Sequence, residues 1–197
     1  MSKIALTPNA SGTGVFTISS PATSTDRTLT LPDEAGTVLT SASSLASANL
    51  TGSVPSSALP AGSVLQIINA TYSTETSNSS STYADTGLTA TITPTNASSK
   101  ILVFACQVGL AKSNNEGVRL RLLRGATIIV QMETAAAFTN TTTTNRVGGS
   151  SATYLDSPAT TSAVTYKTMF ASSDNAASAQ VQAGTNASTI TLMEIAG

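Results

Sequence analysis

The sequence predicts an all-β protein, on three observations. Thr and Ser supply 63 of the 197 residues, and the branched Cβ of threonine suits a pleated strand while restricting a helix. Apolar and polar residues alternate with period two through many short runs, and Gly, Pro, Asn and Asp punctuate those runs at short intervals. The chain is 40% hydrophobic with a net charge of −1 and a mean hydropathy of +0.14. It therefore lies outside the low-hydrophobicity, high-charge regime of disordered chains.

Three regions follow in order. Residues 1–40 carry two alternating patterns, Gly14-Val15-Phe16-Thr17-Ile18-Ser19 and Arg27-Thr28-Leu29-Thr30-Leu31, with Thr37-Val38-Leu39-Thr40 as a third short strand and Pro21 and Pro32 to Gly36 as turns. A β segment of about 40 residues is marginal alone and is usually held by disulfides, metals or oligomerisation. This chain has one Cys and no His, so the pattern points to partner chains. Residues 41–62 are rich in Ser, Ala, Gly and Pro, and Pro55 and Pro60 exclude a continuous helix and favour an extended, stiff connector.

Residues 63–197 form a strand-dense segment large enough for its own core. Strands are expected at Val64–Ile68, Leu88–Thr93, Lys100–Val108, Val118–Leu123, Thr127–Met132, Ala163–Phe170, Ala179–Gln182 and Thr189–Ile195. Arg124-Gly125 marks a tight hairpin. Ser73–Thr82 and Phe138–Ser151 have almost no apolar residues and are expected to be surface loops. The spacing describes an antiparallel β-sandwich of jelly-roll type.

Composition also excludes chemistry. Without His there is no imidazole to shuttle a proton in a Ser-His-Asp or Cys-His system, nor the commonest ligand for a transition metal. Cys106 sits in the apolar run Val103 to Val108 and is read as an inert buried thiol. A pI near 5.2 gives no basic field for a phosphate backbone, so no nucleic-acid partner is expected. No apolar run approaches the roughly 20 residues of a membrane helix, and the N-terminus lacks a signal-peptide pattern, so synthesis in a cytosol and no membrane insertion are expected. No cofactor, metal site or enzymatic activity is expected.

The candidate binding residues are few. Arg119 and Arg121 share one strand face, with Arg124 at the following turn. They could hold an anion, a sugar acid or a partner carboxylate, or simply line a solvated strand face or pair with a neighbouring acid. Tyr83 and Tyr154 are the surface candidates among the tyrosines, whereas Tyr72 and Tyr166 lie in apolar patterns and read as core-edge residues. The carboxylates are scattered, and a glycosidase pair, which needs two carboxyls about 5 to 10 Å apart, is not visible in sequence.

The run Ser11-Gly12-Thr13-Gly14-Val15-Phe16-Thr17-Ile18, followed by Asp26 to Asp33 and Gly36-Thr37-Val38-Leu39, resembles a module near the N-terminus of tail-fibre-like virion proteins of tailed bacteriophages. Asn49 to Pro55 is similar to their connectors. Thr82 to Pro94, Ser99 to Val103 and Arg121 to Gly125 resemble their C-terminal β-domain. The resemblance implies a homotrimer in the virion, assembled in the cytoplasm of the bacterial host. Residues 1–40 would dock on other virion proteins, and the distal β-domain would meet a glycan or protein on the host surface. The chain lacks an extended shaft, which leaves a short fibre, a baseplate appendage or a head-bound fibre open. The alternatives are a capsid decoration or baseplate cement protein without a receptor role, and a glycan depolymerase.

Overall fold

The computed structural model describes residues 10–15, 17, 19, 22–26, 28, 54–55, 58–175 and 177–197. The chain divides into two units, Met1–Leu50 and Thr51–Gly197. In the first, Gly14, Val15, Thr17, Ser19 and Thr28, the described members of the two expected strands, lie in no strand. The remaining positions of those patterns, and Thr37–Thr40, fall outside the described residues.

The second unit is all strand among its described elements: β1 (Val64–Tyr72), β2 (Thr76–Asn78), β3 (Ala84–Ile92), β4 (Lys100–Lys112), β5 (Val118–Arg124), β6 (Thr127–Ala136), β7 (Asn145–Asp156), β8 (Val164–Ser172), β9 (Ala179–Val181) and β10 (Ser188–Ile195). They form two antiparallel sheets. The first runs β1-β10-β4-β9-β2 with β7 on the other side of β4, and the second runs β3-β8-β5-β6. Period-two burial along β3, β5 and β10 gives each strand one inward and one outward face, as a two-layer structure requires.

β4 organises the first sheet because it is long enough to hold two strands end to end on one side. β10 pairs with Lys100–Cys106 and β9 with Ala111 and Lys112, while β7 pairs along most of the opposite side. Where β9 hands over to β10, Gln182 and Ala183 donate their N–H groups to Val108 O and Gly109 O at 3.0 Å. Gly109 has φ +63, and a Cβ there would lie 2.5 Å from Ala183 N. Only glycine fits this crossing. In the second sheet, Gly125 takes φ +56 between β5 and β6. That is the conformation needed at the first central position of a type II′ hairpin turn.

The core holds two apolar clusters. One gathers Leu88, Ile92, Ile101, Val103, Leu122, Tyr166, Ile190 and Leu192 from both sheets; the other gathers Leu110, Val118, Leu120, Phe170 and Val181. Burying each large aliphatic side chain contributes about 1.5–3 kcal/mol. A polar chain also crosses the interior from sheet to sheet. Thr86 Oγ1 and Thr168 Oγ1 lie 2.6 Å apart, Thr168 donates to Gln107 Oε1 at 2.9 Å, and Gln107 and Gln182 both donate to Ser188 Oγ. Such a chain fixes register, because slipping one strand would strand several buried hydroxyls and amides without partners.

Two expectations are corrected. Ser73–Thr82 contains β2, and Phe138–Ser151 contains the first half of β7, where loops were expected. These strands are held by backbone ladders more than by side-chain packing, so hydrophobic periodicity does not report them. In β7, Asn145-Arg146-Val147-Gly148-Gly149-Ser150-Ser151 is mostly exposed and lies along β4 from Lys112 to Cys106. The fully buried Lys112 closes the remaining loop, donating to Asn114 O at 2.5 Å and Thr141 O at 3.1 Å.

Candidate functional site

The charged groups of the second unit divide into those used inside and those presented outside. Glu116 is fully buried. Its carboxylate accepts from Ser172 Oγ, from Ser173 Oγ at 2.5 Å, and from the N–H groups of Gly117, Asp174 and Ala177 at 2.9, 2.8 and 3.2 Å. Burial opposes its ionisation, yet the Ser172, Ser173 and backbone hydrogen bonds outweigh burial and hold the carboxyl far below its ordinary range. It pins the loop after β8. Glu194 behaves likewise: burial is outweighed by donors that include Gln66 and Thr95, and the carboxyl lies below its usual value.

Arg124, placed in sequence beside Arg119 and Arg121, is drawn away from them. Its Nη1 bonds both oxygens of Asp156 at 2.9 and 2.8 Å, and the fully buried Tyr166 donates to Asp156 Oδ2 at 2.7 Å. This clasp joins β5 and β8 of the second sheet to β7 of the first. Burial, and then the Asp156 carboxylate, push the Tyr166 phenol well above its ordinary value, with Arg124 opposing in smaller part. Tyr166 is thus a core residue, and Tyr72 packs half-buried against the same cluster.

The outer face of the second sheet carries a further group of charges. Arg121 stands opposite Met169, and Met169 opposite Asp85, so the three form one row across β5, β8 and β3. Arg119 lies one row further, opposite Ala171. The Arg121 guanidinium sits 3.5 Å from the centroid of the Tyr83 ring, a stacked cation–π contact. Its Nε donates to Gln131 Oε1 at 3.0 Å, and Gln131 Nε2 reaches Tyr83 Oη at 3.3 Å and Leu120 O at 2.9 Å. Lys167 pairs with Asp85 at 2.7 Å beside a recess of about 180 Å³ lined by Asp85, Gly87, Leu88, Thr89 and Lys167.

Of the four candidates, then, Tyr83, Arg119 and Arg121 share one face, and Tyr154 does not. Tyr154 lies on β7 opposite Val103, at the border of the first sheet. Lys167, Asp85 and Gln131 are the members that sequence reasoning missed. The alternation Lys167-Thr168-Met169-Phe170 was the available signal for Lys167, but which strand lies beside β5 is a tertiary fact. Cys106 is only half-buried and free, on the outer side of the first sheet, rather than inside as expected.

The first sheet presents a different outer face. Cross-strand register places Ile67, Met193, Leu102 and Leu155 in one continuous row over β1, β10, β4 and β7. Phe104 lies beside it, and Val64 and Ile195 are paired at the chain-entry end. Ile67 is 57% exposed, Leu155 49% and Phe104 41%. Further along, the rows become mostly polar: Asn69, Thr191 and Thr153 flank Phe104, and Thr71, Thr189 and Ser151 flank Cys106.

Among the described residues no group of three or more Cys, Asp or Glu side chains could hold a metal, and no helix is long and apolar enough to cross a membrane. Compared with known proteins, the chain matches no family model and no curated sequence.

Proposed function

We propose that this chain is a structural subunit of a bacteriophage virion, a short fibre that self-associates as a homotrimer, docks through residues 1–40 and presents its C-terminal domain to the host surface. The observation that carries the reading is the apolar row Ile67–Met193–Leu102–Leu155. The outer face of an antiparallel sheet is ordinarily polar, and a contiguous exposed apolar band marks an interaction surface. The row lies next to Val64, where the chain enters the domain. Copies joined through this face would bring the starts of their β1 strands together, as a fibre with a common attachment point needs. With the short β2 and β9 set aside, β1, β10, β4 and β7 of the first sheet face β3, β8, β5 and β6 of the second, and the chain crosses between sheets at each step except the β5–β6 hairpin, which supports a jelly-roll assignment. The resemblance of residues 11–39 to phage fibre modules supplies the biological setting.

The role is binding rather than catalysis: Glu116, Glu194 and Asp156 are all spent on structural hydrogen bonds. Sedimentation equilibrium tests the assembly, with three copies expected and a stable monomer counting against it. Deleting residues 1–40 is expected to leave the domain folded and absent from particles; incorporation of the truncated chain refutes the attachment role. Localisation of labelled chain over the capsid lattice, with adsorption intact in its absence, would favour a decoration protein.

A further inference from the structure

We propose that the outer face of the second sheet binds the carboxylate of an acidic sugar, with Arg119 and Arg121 as the recognising pair; this rests on the host-recognition reading above and names its ligand class. Arg119 is half-buried, and among the described residues its side chain makes no hydrogen bond or ion pair. A guanidinium in that position is an open fork of donors shaped for a carboxylate. Arg121 is held in place by the Tyr83 ring and by Gln131, which takes its Nε and leaves the terminal nitrogens for a ligand. Its orientation is fixed before binding, so little rotamer freedom is lost.

Charge selects the ligand class. Arg119, Arg121 and Lys167 face Asp85 on β3 and Glu133 on β6, and Lys167 is already paired with Asp85. The surplus of one positive charge suits one carboxylate per sugar unit and falls short of what a polyphosphate needs. The surroundings select a saccharide over an acidic peptide. β5 is hydrogen-bonded to β8 on one side and β6 on the other, so the strand that carries both arginines offers no free ladder to an extended peptide backbone. The face offers hydroxyls instead: Thr89, Thr91 and Thr165 lie alongside, next to the recess lined by Asp85, Gly87, Thr89 and Lys167.

The test uses the full chain and saturation-transfer NMR with calorimetry. The probes are a galacturonic acid trisaccharide, its carboxyl-reduced counterpart, sialyllactose, inorganic phosphate and hexaglutamate. Binding to an acidic sugar is expected, with loss on carboxyl reduction and weakening by at least about tenfold in Arg119→Ala and Arg121→Ala, as removal of a charge-assisted bidentate contact predicts. Arg121→Lys should restore little, because a point charge lacks the planar fork. Failure of the wild-type chain to bind either acidic sugar overturns the proposal. So does equal binding of the reduced trisaccharide, of phosphate or of hexaglutamate, or unchanged affinity in a folded Arg119→Ala variant. Sedimentation and particle incorporation are measured on the same samples. A trimeric, incorporated chain that ignores acidic sugars loses only the ligand assignment, whereas a monomer that binds them loses the fibre reading and keeps the site.

Discussion

The two outer faces of the sandwich are built on the same antiparallel geometry and carry opposite chemistry. Across the first sheet run Ile67, Met193, Leu102 and Leu155; across the second run Arg121, Met169 and Asp85. The inner faces do not explain the difference, since both are apolar with a shared polar thread. A sheet's exposed side is free of core constraints, so what it displays reflects what it meets. We take the first face as the one that meets other copies and the second as the one that meets a ligand.

The largest expected effect follows from breaking the first face. Leu102→Asp combined with Leu155→Asp should convert the assembly to monomers in sedimentation while the far-ultraviolet circular dichroism is retained, because both side chains point away from the core. If association survives, the apolar row is not the contact.

Next come the charges used inside. Glu116→Gln should lower stability by about 2–4 kcal/mol, since several buried donors lose a charged acceptor. The pH dependence has a definite sign. Glu116 lies below its ordinary value when folded, so its contribution is complete above the unfolded carboxyl range near pH 4.5 and declines as pH falls toward the folded value. Thermal melts from pH 7 downward should therefore lose stability less steeply in Glu116→Gln than in the wild type. An equally steep acid loss in the variant would assign that loss to other carboxyls.

Arg124→Ala should cost about 2 kcal/mol, because it leaves the buried Asp156 without its cation. Arg119→Ala, on the outer face, should change chemical-denaturation stability by no more than about 0.5 kcal/mol. These two arginines stand five residues apart and separate structural from presented charge. Equal costs would dissolve the distinction on which the binding face rests. Tyr83→Leu should have a smaller and more local effect: loss of the cation–π contact, worth about 0.5–1 kcal/mol, and a less ordered Arg121 side chain by NMR relaxation.

Legibility in the sequence tracked how each element is held. Strands with a clean apolar stripe, such as Lys100–Val108 and Val118–Leu123, announced themselves because their inner faces make the core. β7 did not, since its Gly148-Gly149-Ser150-Ser151 stretch contributes backbone to a ladder and few apolar side chains. At the site, Arg119 and Arg121 could be singled out as charges sharing one strand face, and Tyr83 as a surface tyrosine. That Arg124 belongs to Asp156 could not, because the partner is 32 residues distant in sequence and on the other sheet.

By itself the sequence determined the class: threonine-rich alternation with closely spaced turn residues leaves an all-β chain. Period-two patterning also determined which residues on a strand can share a face, because successive side chains must point to opposite sides. Tertiary structure alone decided which strands became neighbours. Register across β1, β10, β4 and β7 turned four separated apolar residues into one band, and the order β3-β8-β5-β6 brought Tyr83 onto Arg121. Both surfaces are sums over strands far apart in the chain, and pairing between distant strands is fixed by the closing of the whole core rather than by any local run of residues.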